Sequence, residues 1–251
     1  SLTNSDVGVS VDTAVDIAKE TADIILLEKD LNVLLDGVTE GRKTFSNLLK
    51  YIKLAVSFNF GEVTSVLIAS ILLPFFPITP IQLLVQSLLY DIGQLTLPFD
   101  NVDIDSLKKP KKWSIRAIRQ FMIFMGPLSS AFDLIVFAML WFVFKLGPAD
   151  SALFQTIWFS YGIVSNLFGM HIIRTAKIPF VQSHASKPVY LSSIIVSLLA
   201  IFVPFTALGS AIGLVAIPLK YMALIFLTPV VYCIIAQFAK YKYIQKHGEW
   251  L

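Results

Sequence analysis

Six apolar blocks, each close to the length of a membrane-crossing helix, constrain this chain more than any other feature: 54–73, 81–98, 121–144, 153–173, 189–207 and 220–238. A helix needs roughly 20 apolar residues to cross ~30 Å of hydrocarbon. With 56% hydrophobic and 15% charged residues, and a mean hydropathy of +0.73, the chain is expected to be an integral membrane protein, not a large soluble core. Charge between the blocks alternates. The 99–120 connection holds Lys108, Lys109, Lys111, Lys112, Arg116 and Arg119; 174–188 holds Arg174, Lys177 and Lys187; the tail holds Lys240, Lys242 and Lys246. The intervening 74–80 and 145–152 connections hold only Lys145, and 208–219 has no Lys or Arg. The positive-inside rule then puts both ends of the chain in the cytoplasm, at the cell membrane.

Two carboxylates sit deep inside the first two blocks, Glu62 and Asp91. A charge at bilayer mid-depth costs about 3 kcal/mol or more, so such a group persists where it is paired or binds something. Asn59 and Glu62, three apart, share one helix face. Ser87, Tyr90, Asp91 and Gln94 follow the i, i+3, i+4, i+7 spacing and form one expected polar stripe. The short 74–80 connection makes these two helices antiparallel neighbours. Gly61 and Gly93 stand beside the candidates, where local unwinding would free carbonyl oxygens. The expected ligands of a translocated cation are therefore Asn59, Glu62, Ser87, Tyr90, Asp91 and Gln94. Carboxylate, amide and hydroxyl oxygens form a hard set suited to Mg²⁺ or Ca²⁺. The competing reading is polar glue between helices. Asp133, a third intramembrane carboxylate, is an auxiliary candidate for which a structural role is expected, and Gln86, one residue off the stripe, reads as an interhelical bond.

Other polar groups read as structural. His171, His184 and His247 are expected at interfaces, and Trp113, Trp158 and Trp250 as packing or interface anchors. Asp100, Asn101, Asp103 and Asp105 lack the glycine and final Glu of an EF-hand and read, beside Lys108–Lys112, as a solvated acidic face. Cys233 is the sole cysteine, which excludes a disulfide framework.

Residues 1–53 have a different grammar. Val7–Val11 and Ile24–Leu27 read as strands, Asp12 to Thr21 as a helix capped by Asp12, and Leu31 onward as a helix weakened at Gly37 and Gly41. Strand–helix–strand–helix is the order of a parallel α/β sheet. Two strands cannot bury both faces of such a sheet, so 1–38 is expected to be the end of an α/β domain whose other strands lie upstream; a small self-contained cap is the alternative. Residues 39–53, with Arg42, Lys43, Lys50 and Lys53, are expected to form a stalk helix running into the first span, and 54–251 a six-span membrane domain. The expected fold is mainly α: a polytopic bundle of six spans after a truncated α/β piece.

Several stretches resemble P-type ATPases. Asp6-Val-Gly-Val-Ser-Val-Asp12 and Ala18-Lys-Glu-Thr-Ala-Asp23-Ile-Ile-Leu-Leu-Glu28 are similar to the end of their phosphorylation domain, and Glu40-Gly-Arg-Lys-Thr-Phe-Ser-Asn47 to the stalk before their fifth span. Leu88-Leu-Tyr-Asp-Ile-Gly-Gln-Leu95, Pro98-Phe-Asp-Asn-Val-Asp103, Lys109-Pro-Lys-Lys-Trp113 and Gly126-Pro-Leu-Ser-Ser-Ala-Phe-Asp133 resemble the bacterial magnesium-transporting group. The resemblance implies that the six blocks correspond to spans five to ten of an ATP-driven pump that brings Mg²⁺ into the cytoplasm. It implies ATP binding, and a phosphorylated Asp, in domains absent from these residues. Its partners would be the rest of the same polypeptide (actuator, nucleotide-binding and phosphorylation domains and four further spans) and membrane lipid, with no nucleic acid. No Asp-Lys-Thr-Gly-Thr motif is present, so the 251 residues alone are expected neither to hydrolyse ATP nor to pump. Glu62 stands where many magnesium pumps carry Asn, a calcium-pump feature, so a calcium pump is the alternative on the same fold. A non-enzymatic six-span subunit or channel is the alternative of another class.

Overall fold

The computed structural model describes residues 5–250. Residues 1–4 and 251, which the expected 1–38 and 54–251 segments include, lie outside the described residues. Strand β1 (Val9–Val11), helix α1 (Asp16–Glu20) and strand β2 (Ile24–Leu26) form a two-stranded parallel sheet with Val9 opposite Ile24. Asp12 does not cap α1. Its N–H donates to Leu26 O at 2.9 Å and extends the ladder, so the helix starts later, after Val15. Two strands cover little: Ile17, Ile24 and Ile25 remain exposed, although parallel sheets are normally covered on both faces.

Helix α2 (Leu31–Leu72) is a single rod of 42 residues, about 63 Å at 1.5 Å per residue. Asp30 starts it by accepting the Asn32 N–H at 2.8 Å, a cap of the kind worth ~1 kcal/mol. Gly37 and Gly41 do not interrupt it. Residues 39–53 and 54–72 therefore lie on one continuous helix.

Helix α3 (Pro80–Gln94) opens with Pro80 in its first turn and reciprocal hydrogen bonds between Thr79 and Gln82. A 3₁₀ turn at Leu97–Phe99 follows it. Next come α4 (Ile104–Leu107), α5 (Ile115–Ala138) with a π-helical turn at Met139–Val143, α6 (Ser151–Ile173), α7 (Lys187–Phe202), α8 (Ala207–Ala211) and α9 (Met222–His247). Gly248, at φ +78°, closes α9 in the left-handed conformation that glycine adopts without strain.

Four helical stretches are long and apolar enough to cross a membrane by length and composition: Asn32–Leu72, Ile115–Val143, Lys187–Phe205 and Leu219–His247. Of the other two blocks, α3 has 15 residues, about 22 Å. Helix α6 has 23 residues and is almost wholly buried, packed by α2, α3, α5, α7 and α9. That position explains its composition. Enclosed by protein, α6 carries polar groups that lipid would not tolerate, provided that they find partners. Ser160 donates to Ala200 O at 2.7 Å, and Thr156 Oγ1 accepts from Val215 N at 3.0 Å. Its Phe154, Trp158, Phe159 and Tyr161 fill the core, while Leu67, Ile71, Leu191 and Phe238 face outward.

Helices α2 and α5 approach closely because glycines face each other. A Cβ on Gly61 would stand 3.0 Å from Gly126 O, and one on Gly126 would stand 2.5 Å from Phe60 Cδ1. Small residues permit this contact where hydrophobic burial between helices gives little drive. Ser130 of α5 seals it by donating to Gly61 O at 2.7 Å.

Candidate functional site

Helices α2 and α3 bring part of the expected ligand set together. Tyr90 Oη donates to Asn59 Oδ1 at 2.7 Å and reaches Glu62 Oε2 at 3.4 Å. Asn59, Glu62 and Ser87 line a groove of about 280 Å³ between the two helices, with Val63, Val66 and Leu83.

The expected stripe on α3 is rotated. The buried face is Gln82, Gln86, Tyr90, Gly93 and Gln94, not the line through Ser87 and Asp91. Close packing on α6 causes the rotation. Gly162 leaves room for the Gln86 amide, since a Cβ there would lie 2.2 Å from Gln86 Nε2, and a Cβ on Gly93 would lie 2.7 Å from Leu167 Cδ2. Asp91 is thereby exposed, and no side chain among the described residues donates a hydrogen bond to its carboxylate. Gln94 is buried, with Oε1 accepting no hydrogen bond. The glycines do not unwind their helices. Gly61 O accepts from Ser65 and Ser130, and Gly93 O from Thr96 and Ser192.

On its inner side Glu62 meets residues that the sequence reading set aside or missed. Glu62, Gln86, Ser129, Asp133, Trp158 and Asn166 line a small polar cavity of ≈ 10 Å³, room for about one water. Asp133, buried on α5, accepts from Ser65 Oγ at 2.7 Å. Glu62 Oε1 and Gln86 Oε1 are buried and accept no hydrogen bond. Neither carboxylate has a Lys or Arg within ion-pair distance among the described residues. Unpaired acceptors in a low-dielectric interior call for a proton or a cation. The donors are all hard oxygens, which suits a cation of the Mg²⁺ or Ca²⁺ kind. Among the described residues no three His, Cys, Asp or Glu side chains group as a metal site, so any cation held here also needs amide and hydroxyl oxygens. Ser129 and Asn166 were visible as polar residues within apolar blocks, but periodicity does not say that they meet Glu62.

The acidic cluster after α3 is a solvated face only in part. Asp100 is buried, and Asp103 accepts from the hydroxyls of Thr175 and Ser183. Asn101 and Asp105 face solvent, and at Asp105 a hydrogen bond and charge from Lys108 hold the carboxyl below the ordinary value. His171 is buried 3.1 Å from Ser193 Oγ. Trp158 and Trp250 are buried, whereas Trp113 is exposed.

Residues 75–242 match the family described as cation transporting ATPase, C-terminus. A magnesium-transporting ATPase, P-type 1, of Salmonella typhimurium strain LT2 is 48% identical over 99% of this chain, which covers 28% of that protein. Its namesake in Escherichia coli K12 is 48% identical over 97% of this chain and 27% of its own length. A calcium-transporting ATPase of Bacillus subtilis strain 168 is 27% identical over 80% of this chain and 23% of its own length. The chain thus spans about a quarter of the length of these curated relatives. With the family match covering most of its length, the chain belongs to the C-terminal family of cation-transporting ATPases.

Proposed function

We propose that these residues are the transport part of an ATP-driven P-type pump that brings Mg²⁺ into the cytoplasm, with the cation held at Glu62. The observation that carries this reading is the setting of the Glu62 carboxylate. One oxygen is within reach of the Tyr90–Asn59 pair, and the other is unpaired beside the cavity shared with Asp133 and Gln86. Glu62, Asn59, Tyr90 and Ser87 form the group of ligands at the groove between α2 and α3, and Asp133 is the second carboxylate. Asp91 belongs to the site only once further helices cover the exposed side of α3, whereas Gln94 is already buried, with an unpaired Oε1 to offer. Those helices, with the ATP-binding, actuator and phosphorylation domains, belong to the remainder of the polypeptide, as the share of the relatives' length supports.

In this reading all six blocks cross the membrane, α3 and α6 as inner spans, with both ends of the chain cytoplasmic. Residues 1–38 complete a phosphorylation domain and 39–53 are the stalk. Because α2 is one rod from 31 to 72, movement of the stalk is delivered to Glu62 without a hinge. Ca²⁺ is the second reading, favoured by the carboxylate at position 62 and by the calcium-transporting relative. Flux through the full-length protein separates the two. Loss of Mg²⁺ transport in Glu62→Gln and Asp91→Asn, with Ca²⁺ flux unaffected, supports Mg²⁺; wild-type Mg²⁺ rates in both variants refute the site.

A further inference from the structure

About 18 Å along α2 from Glu62, at 1.5 Å per residue, a buried triad joins four helices. Lys50 of α2 and Arg174 at the end of α6 donate to one oxygen, Asp100 Oδ2, at 2.8 and 2.7 Å. The Ser186 N–H, just before α7, donates to Asp100 Oδ1 at 3.1 Å. The three charged side chains are 3%, 1% and 0% exposed for Lys50, Arg174 and Asp100. The surrounding backbone is bound as well. Asn47 Nδ2 of α2 donates to Asp100 O at 2.9 Å, and Lys50 Nζ to Asn101 O at 2.7 Å.

Fold stability does not account for such a group. Removing ions from water costs several kcal/mol each, and apolar side chains of similar volume are often as stable or more so. What a charged junction supplies is one permitted alignment of its partners. The partners here are the middle of α2, the turn after α3 and the end of α6, and all three helices reach the polar cavity. Lys50 lies on the helix of Glu62, Asp100 follows the helix of Gln86 and Asp91, and Arg174 caps the helix of Gly162 and Asn166.

We propose that Asp100 is a positioning residue for the cation site, holding α2, α3 and α6 in the register that brings Glu62, Gln86 and Asn166 to one cavity. This rests on the transport reading and extends it by naming the device that sets cation affinity. Asp100 touches no cation itself.

The test uses the full-length protein in vesicles at constant MgATP, with Mg²⁺ varied on the side opposite ATP and the unfolding midpoint measured alongside. The triple variant Asp100→Leu/Lys50→Met/Arg174→Leu removes all three charges at similar volume. It is expected to keep the parent's midpoint or exceed it, while the half-saturating Mg²⁺ concentration rises about five- to fiftyfold, the range of ordinary coupling between sites. Lys50→Arg keeps the charge but changes its reach, and is expected to raise that concentration about fivefold with the midpoint unchanged. Half-saturation that stays at the parent's value in a folded triple variant overturns the proposal. Where the triple variant does not fold, Lys50→Arg decides by the same criterion. A parent protein that moves no Mg²⁺ refutes the transport reading without any variant, and this proposal with it.

Discussion

Gly162→Ala tests the link between helix packing and the proposed cation site. The added Cβ would lie 2.2 Å from Gln86 Nε2 and 3.3 Å from Gln86 Cδ. Residue 162 is buried on α6 and lines the polar cavity beside Gln86, so the Gln86 amide must turn away. For the fold the effects oppose each other. Alanine in place of glycine gains ~1 kcal/mol of helix propensity, and overpacking costs ~1–3 kcal/mol. The net loss is about 0–2 kcal/mol, too small to unfold the bundle. For the cation the effects add. The methyl group intrudes on a cavity with room for one water-sized body, and Gln86 Oε1 leaves its place beside Glu62. Losing one hydrogen-bond-strength contact to a charged species is worth ~1.5–3 kcal/mol, or about ten- to a hundredfold in affinity. The assay is Mg²⁺-concentration dependence of transport by the full-length protein, with the unfolding midpoint recorded on the same sample. Unchanged half-saturation in a folded Gly162→Ala protein refutes the placement of the cation beside Gln86.

Two further substitutions probe the frame that holds the site. Lys240 is buried and donates to Ile172 O, Thr175 O and Lys177 O, each at 2.9 Å; Lys240→Met strands three carbonyls at ~1–3 kcal/mol each, and is expected to lower the unfolding midpoint, with an unchanged midpoint counting against the interaction. Gly61→Val would press a branched side chain against Gly126 O and Ser129 Cβ, where even a Cβ stands at 3.0 and 3.2 Å; the expected loss is ~1–3 kcal/mol by overpacking, read as reduced thermal stability, and a neutral result would mean that α2 and α5 separate freely.

The helices were legible as apolar blocks, whose lengths marked them to within a few residues on most sides, and four of the six are long and apolar enough to cross a membrane. Facing was not legible on α3. The spacing from Ser87 to Gln94 describes a real stripe, but which stripe is buried depends on where α6 offers room, and Gly162 offers it to Gln86. Asp12 shows the same limit on a smaller scale. It is a plausible cap by type, yet a ladder bond to Leu26 O holds its backbone in the sheet. The Lys50–Asp100–Arg174 junction was invisible for another reason: its members are separated by 50 and 74 positions, and no local pattern joins residues so far apart. Beside Lys108, Asp100 looked like one more solvated acid. Its burial follows from the return of α6 and the start of α7 over the turn after α3.

The most direct test of the account is to locate the cation. Mn²⁺ substitutes for Mg²⁺ at hard oxygen sites and can be placed by its anomalous scattering in crystals of the full-length protein in its cation-bound state. A peak is expected about 2.0–2.2 Å from a Glu62 carboxylate oxygen, on the side shared with Gln86 and Asp133. A membrane-embedded peak with Glu62 outside its coordination shell would contradict it.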